Sequence, residues 1–467
     1  MLTAVSVCAT AGLTACGTED DEVVVSIGYQ SKTINTVNAG TLLRSLGTFE
    51  AALNELGERD GKSYSVEWLD FSSGSPLTAQ MIASQIDIGS MGDYPLLVNG
   101  SKNEQYGDSS TSLIAVTGYN MAGSLNQVLV PTGSTASSLE DLRGKKVSTS
   151  LGSAADGMLN VGLSREGMSA DDVQVVNQDP SIGAAALESG QTDAYAQFVP
   201  WPQIEVFRGK GRLLYDGGSN EIPTFHGVVV RDSFAEENTD VVTAFVDAMS
   251  ETTTFLEEKP LEAAELVAEA TGLEPEVIYL YNGPAGLVSF DMSLKDELVG
   301  ALEENKPFLV AKGSVDEEYD IPGFIDESFV REQFGPGYDE MKASTENPSR
   351  LTGHDEVCGL PVSDQGTASE VWFAGEEETT VSATPSCLLS RIARSPQTVR
   401  AAYVPDASNG LHTFAEHATW LRDPAGGPTD TYLPFATVGA AEAYLAENPD
   451  LERVEYDQAV SASRSVN

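Results

Sequence analysis

Val23-Val24-Val25-Ser26-Ile27-Gly28-Tyr29 runs directly into the polar stretch Gln30-Ser31-Lys32. A short apolar run rich in β-branched residues, closed by a polar turn, predicts a buried strand. Leu42, Leu46, Phe49, Leu53 and Leu56 then recur at helical spacing and close at Gly57. Ser65-Val66-Glu67-Trp68-Leu69-Asp70-Phe71 predicts a second strand, and Gly74-Ser75-Pro76 turns into another helix. Strands that alternate with helices predict an α/β fold on a parallel or mixed sheet.

One short pattern occurs twice. Ser84-Gln85-Ile86-Asp87-Ile88 follows one helix, and Gly190-Gln191-Thr192-Asp193-Ala194-Tyr195 follows another over residues 182–187. In each, a helix ends, a polar turn follows and a short buried strand begins, which predicts two lobes on similar plans. Residues 118–126 read as the first crossing between lobes and 125–131 as the strand beyond it. Ser138-Leu139-Glu140-Asp141 has a capping-box pattern, and Lys146-Val147-Ser148-Thr149-Ser150-Leu151-Gly152-Ser153 reads as strand, turn and helix start. His226-Gly227-Val228-Val229-Val230 reads as the strand on return to the first lobe. Residues 240–309 are mostly helical in pattern, with Val242, Phe245, Val246 and Met249 on one face. Residues 307–350, rich in Gly, Pro and acid, read as a closing segment and linker.

A chain of 467 residues exceeds what one core serves, so two or more domains are expected. Its 41% apolar content excludes general disorder. With 26 Lys+Arg against 71 Asp+Glu, the formal net charge is -45. Such a surface repels nucleic acid, so no nucleic-acid partner is expected. The acidic residues lie scattered between apolar ones, which reads as a solvated surface suited to high salt. No stretch reaches the length of an apolar spanning helix.

Residues 1–15 are apolar or small and uncharged, ending in Leu13-Thr14-Ala15-Cys16-Gly17. This resembles the lipobox of bacterial lipoproteins, in which Cys16 is lipidated and becomes the first mature residue. The stretch departs from a full signal peptide, since no basic residue precedes it. The polar, acidic Thr18-Glu19-Asp20-Asp21-Glu22 then reads as a tether. With Cys8 removed and Cys16 modified, the remaining thiols are Cys358 and Cys387, and the main body has none.

In open α/β sheets, ligands sit beyond the carboxyl ends of strands. The turns at 30–32, 72–76, 92–94 and 150–154 therefore qualify, and Gly152 and Ser153 would present N–H groups and a hydroxyl at a helix start, where an anion is favoured. Ile27-Gly28-Tyr29-Gln30, Phe71-Ser72-Ser73-Gly74, Ile86-Asp87-Ile88-Gly89-Ser90-Met91-Gly92-Asp93-Tyr94-Pro95 and Leu139-Glu140-Asp141-Leu142-Arg143-Gly144-Lys145-Lys146-Val147, with the turn Phe198-Val199-Pro200-Trp201-Pro202, resemble the nitrate/sulfonate/taurine binding-protein family. The resemblance covers residues 23–310. It implies a periplasmic-binding-protein type II fold with two α/β lobes, two crossings, a helical closing segment and a ligand clamped between the lobes. It further implies an extracytoplasmic, lipid-anchored component of an ABC importer that hands a small anion to a permease and ATPase.

Carried over position by position, the resemblance lines the cleft with Gln30, Lys32, Gly74, Ser75, Gly92, Asp93, Ser150, Gly152, Ser153 and Trp201. Lys32 is then the expected counter-ion, or one more exposed lysine, and Trp201 between two prolines a rigid apolar wall. Asp93 either caps a helix or meets an amine such as that of taurine. The family also includes binders of pyrimidine precursors for thiamine synthesis, so that ligand class stands as the alternative. No enzyme activity is expected, because residues 23–350 hold no Cys and one His, His226.

Residues 346–467 form a separate small α+β domain in this reading, after residues 1–22 and a two-lobed body over 23–345. Lobe 1 would take about 23–120 and 220–310, and lobe 2 about 121–219. Cys358-Gly359-Leu360-Pro361-Val362, Pro385-Ser386-Cys387-Leu388-Leu389 and Phe435-Ala436-Thr437-Val438 resemble NosL-type copper lipoproteins. That pattern has a Met where this chain has Leu360, which removes a thioether suited to copper(I). Cys358 and Cys387 read as a disulfide or inert thiols, with a copper site joined by His354, His412 or His417 as the other possibility. No cofactor is required by the binding function.

Overall fold

The structure is a computed structural model that describes residues 22–105 and 107–464, so the Cys16 reading lies outside the described residues. Among these, no helix is long and apolar enough to cross a membrane. The first lobe is built from strands β1 (Glu22–Tyr29), β2 (Ser63–Asp70), β3 (Ile88–Gly92) and β4 (Thr111–Asn120). Helices α1 (Thr41–Leu46), α2 (Thr48–Asp60), α3 (Gly74–Ile82) and α4 (Asp93–Glu104) connect them. The apolar stripe through Leu42 to Leu56 is therefore two helices. Gly47 takes a left-handed φ of 68°, which ends the first, and the second runs through Gly57 to its own left-handed cap at Gly61.

The second lobe holds β5 (Asn126–Pro131), β6 (Lys146–Thr149), β7 (Gln174–Asn177), β8 (Ala194–Phe198) and β9 (Gly211–Asp216). Its helices are α5 (Ala154–Arg165), α6 (Pro180–Glu188) and α7 (Trp201–Phe207). β10 (Thr224–Arg231) returns to the first sheet. The sheet orders are β2-β1-β3-β10-β4 and β7-β6-β8-β5-β9. In each, three strands pair in parallel, and a strand arriving from the other lobe, β10 or β5, pairs antiparallel with both neighbours. The twice-occurring helix–turn–strand pattern thus marks equivalent strands, β3 and β8, third in their sheets. Each lobe buries its own core, with Ile27, Ile88 and Val228 in the first and Val128, Val147 and Ala196 in the second.

After β10 the chain is helical: α8 (Asp232–Glu237), α9 (Thr239–Glu258), α10 (Pro260–Thr271), α11 (Pro275–Asn282) and α12 (Asp296–Ala311). Val242, Phe245, Val246 and Met249 of α9 are buried on one face, as their spacing predicts. Pro307 lies inside α12, so that helix continues into the stretch read as irregular, and short helices Ser328–Phe334 and Tyr338–Ala343 follow.

The C-terminal region has a four-stranded and a three-stranded antiparallel sheet, a hairpin of Gly353–Asp355 with Leu360–Val362, and three helices. It packs on the body through an apolar cluster in which Trp372, Tyr403 and Phe414 join Tyr279, Val277 and Ile204. Tyr279 Oη donates to Glu370 at 2.9 Å, Tyr403 Oη to the Glu276 carbonyl at 2.9 Å, and the Arg400 guanidinium lies 3.8 Å from the Trp372 ring centre. Arg400 also pairs with Glu276 at 2.7 Å. Cys358 and Cys387 are joined as a disulfide. With both sulfurs bonded to each other, neither is a thiolate, so the metal-pair alternative does not describe this state. Asp355 packs beside them and is held by Arg391, while His412 bonds the Ala368 carbonyl instead.

Candidate ligand-binding cleft

Between the lobes lies a small cavity open to solvent. Lobe 1 lines it with Gln30 after β1, Ser73, Gly74 and Ser75 at the start of α3, Gly92 and Pro95 at the start of α4, and His226 of β10. Lobe 2 contributes Ser150, Leu151, Ser153 and Ala154 at the start of α5, and Phe198 at the end of β8. These positions are strand ends followed by helix starts, as the topology of an α/β sheet requires.

The first N–H groups of a helix have no partner within it, and the aligned peptide dipoles add a partial positive charge there. Two such ends, of α3 from lobe 1 and α5 from lobe 2, meet at one cavity. Pro95 of α4 and Gly74 of α3 touch so closely that a Cβ on Gly74 would lie 2.4 Å from Pro95 Cβ, so glycine is what brings the α3 start to the cavity. On α5, Ser153 accepts from the Asp156 N–H and Gly152 N–H donates to the Asp156 carboxylate at 3.0 Å. The Gly152 N–H is thereby used inside lobe 2, and Gly152 does not line the cavity.

The start of α4 is filled from within. Asp93 is buried, accepts from Tyr94 N–H at 2.8 Å and from Thr224 Oγ at 2.8 Å, and is pushed up to about 6 by that burial. It lines a smaller neighbouring cavity, also between the lobes, with Asn126, Asn220 and Asn305, and is absent from the lining of the larger one. Its carboxylate takes the N–H of the next residue at the α4 start, where the N-cap position itself is Gly92.

Lys32 and Trp201 are also off the cavity lining, and they meet each other: Lys32 Nζ lies 5.9 Å from the Trp201 ring centre, across the lobes. Gln30, Gly74, Ser75, Gly92, Ser150 and Ser153 are brought together. Gln30 donates to the Ser90 carbonyl at 3.4 Å, and Ser150 donates to the Gln178 carbonyl while accepting from Gln197.

Of the remaining lining residues, Ser73, Leu151 and Ala154 lie in turns already singled out from the sequence, whereas His226, Phe198 and Pro95 were not placed at the site. His226 is the most consequential. It is 6% exposed, and burial holds it down to about 3, so the ring is neutral at physiological pH. A polar residue ahead of the buried Val228, Val229 and Val230 was a signal of a role other than packing. No lining residue carries a formal charge at neutral pH, so an anion here would be held by helix starts, hydroxyls and one imidazole.

Comparison with known proteins agrees with this architecture. The chain is 25% identical over 293 residues to a Bacillus subtilis (strain 168) protein assigned to aliphatic sulfonates binding, across 62% of this chain and 83% of the relative. It is 26% identical over 223 residues to the taurine-binding periplasmic protein of Escherichia coli (strain K12), across 47% and 65%. In fold it resembles the alkanesulfonate-binding protein of Xanthomonas axonopodis pv. citri bound to MOPS, with a TM-score of 0.53 and 22% identity over 65% of this chain and 98% of the other. Residues 113–263, from β4 across the whole second lobe and into α10, match the family described as NMT1/THI5 like.

Proposed function

We propose that this protein is the extracytoplasmic solute-binding component of an ABC importer and captures a small anion such as a sulfonate, taurine or nitrate between its lobes. The observation that carries this is the meeting of two helix starts, from opposite lobes, at one cavity whose lining holds no carboxylate, the Asp156 carboxylate of α5 being engaged by the Gly152 N–H and Asn160 outside that lining. Leu151, Phe198 and Pro95 add apolar surface that suits the carbon tail of a sulfonate. An anion touching both lobes favours the closed arrangement, which a permease can sense. Among the described residues, His226 hydrogen-bonds Asn35 and none of the serines that line the cavity with it, which supports binding over catalysis.

Thermal unfolding with ethanesulfonate, taurine, nitrate and an aminopyrimidine tests the reading. A ligand at a hundred times its Kd stabilises by about 2.7 kcal/mol. Stabilisation by the aminopyrimidine alone selects the thiamine-precursor alternative, and no shift from any of the four rejects anion and pyrimidine alike.

For the rest of the chain we propose a lipid anchor at Cys16, on the Leu13-Thr14-Ala15-Cys16 motif, and a NosL-like C-terminal domain. Reduction would free two thiolates whose sulfurs lie with an Asp355 oxygen within 4.8 Å of one another. Copper(I) titration of reduced protein, with and without Cys358→Ser and Cys387→Ser, tests a copper-handling role. Stoichiometry unchanged by both substitutions ends it.

A further inference from the structure

Resting on the cleft reading above, we propose that Asn35 is a positioning residue that locks His226 in its Nε2–H form. The imidazole then serves the cleft as a fixed, uncharged donor to an oxygen that carries no proton.

Asn35 sits in the 3-10 turn Ile34–Ala39 and is fully buried. Its Nδ2 lies 3.3 Å from the Gly118 carbonyl oxygen and 2.7 Å from His226 Nδ1. A carbonyl oxygen only accepts, so the amide atom facing Gly118 is the NH2. Its second hydrogen points at Nδ1, which must accept it. A neutral imidazole has one N–H, and with Nδ1 accepting, that proton is on Nε2. Nε2 has no protein partner among the described residues, while the ring, more than nine-tenths buried, lines the cavity.

The surroundings keep the ring uncharged. The turn at Ile34–Ala39, β3 and β4, all packed around β10, carry no charged side chain. Asp93 of α4 is engaged by Thr224 and Tyr94, Asp232 of α8 accepts from Ser112, and Glu304 of α12 acts on Tyr94. A donor with no acceptor beside it suits a sulfonate or nitrate oxygen, which bears no proton at neutral pH, and opposes a group that presents an O–H. Asn35 thus acts through His226, since it does not itself line the cavity.

Two measurements decide this. Long-range ¹H–¹⁵N correlation spectra of ligand-free protein at pH 7.5, with His226→Gln used to assign the ring, should show a protonated Nε2 and an unprotonated Nδ1. A proton on Nδ1 overturns the lock whatever the protein binds. Calorimetric titration with ethanesulfonate from pH 5.5 to 8.5 should give a nearly constant affinity for the wild type. Asn35→Asp places a carboxylate that draws the proton to Nδ1, leaving a lone pair on Nε2 as pH rises. Its affinity should therefore fall about tenfold or more across the range, the worth of one charge-assisted hydrogen bond. His226→Gln, which keeps an N–H at the site, should retain most of the affinity, and His226→Phe should not. An Asn35→Asp profile as flat as the wild type overturns the proposal. An Nε2–H spectrum in a wild type that binds none of ethanesulfonate, taurine or nitrate refutes the anion reading and leaves the lock standing.

Discussion

Glu370 offers a direct measure of how the C-terminal region is held to the body. It is 1% exposed, and its carboxylate accepts from Tyr279 Oη at 2.9 Å and Thr379 Oγ at 2.7 Å. Burial raises it from an ordinary 4.5 to about 7, with the two hydroxyls pulling the other way. The displacement corresponds to about 3 kcal/mol of difference between its protonated and charged forms. A carboxyl raised on folding contributes its stability in full below its unfolded pKa and loses it as pH rises through the folded one. Its window therefore runs from about 4.5 to about 7. Glu370→Gln keeps an acceptor for both hydroxyls and removes the titration. Urea unfolding of both proteins between pH 5 and pH 8, at fixed ionic strength and followed by tryptophan fluorescence, gives the comparison. The wild type should lose about 2.5 kcal/mol relative to the variant over that range, the rest of the loss falling below pH 5. Other displaced groups, among them Asp93, Asp216 and Glu205 raised and His226 and His412 lowered, are common to both proteins and cancel in the difference. Parallel pH profiles would refute a buried, protonated Glu370 at this joint.

Three further outcomes are expected. Gly74→Ala should weaken ethanesulfonate binding about tenfold or more by calorimetry with the fold intact in circular dichroism, because the added methyl displaces the start of α3 from Pro95; unchanged affinity would remove α3 from the site. Replacing Cys358 and Cys387 by Ser opens a loop with a sequence separation of 29, which should cost the C-terminal region about 3–4 kcal/mol in urea unfolding. Anion association, followed by stopped-flow fluorescence, should quicken as salt rises from 0.01 to 0.15 M. Screening shortens the reach of the repulsion from a surface of net charge -45, and an on-rate that falls with salt would contradict this.

β1, β2, β3, β5, β6, β8 and β10 were legible in the sequence because each carries its own signal, an apolar run beside a polar turn, whereas β4, β7 and β9 were not read. The cleft was half legible for the same reason: Gln30, Ser75, Gly92, Ser150 and Ser153 sit at such turns. His226 was not, because what gives it a role is Asn35, 191 residues away, and no local spacing encodes that pairing. Lys32 and Trp201 were each read against a ligand, whereas they face one another from opposite lobes, a contact that neither segment alone reveals. The Glu370–Tyr279 joint was invisible for the same cause, since its two residues lie 91 positions apart and meet only where α11 packs on the strand.

These particulars bear on how so acidic a chain can hold an anion. Placing a lysine in the cleft would supply charge, yet a buried ammonium costs several kcal/mol to desolvate and shifts its own pKa. Helix starts carry their partial charge at no such cost, because the dipoles are fixed when the fold forms. Asp93 occupies the start of α4, whereas α3 and α5, one from each lobe, reach the cavity, although the Asp156 carboxylate already takes the Gly152 N–H beside α5. The attraction for an anion is therefore split between the two lobes, and neither half alone has the full set of donors. On the proposed function, binding and closure would be one event: a ligand would gain its second helix start only as the lobes approach, and that differential contact would shift the equilibrium toward a closed form. The neutral His226 fits the same logic, adding a donor without adding a charge whose loss or gain with pH would alter the balance between open and closed.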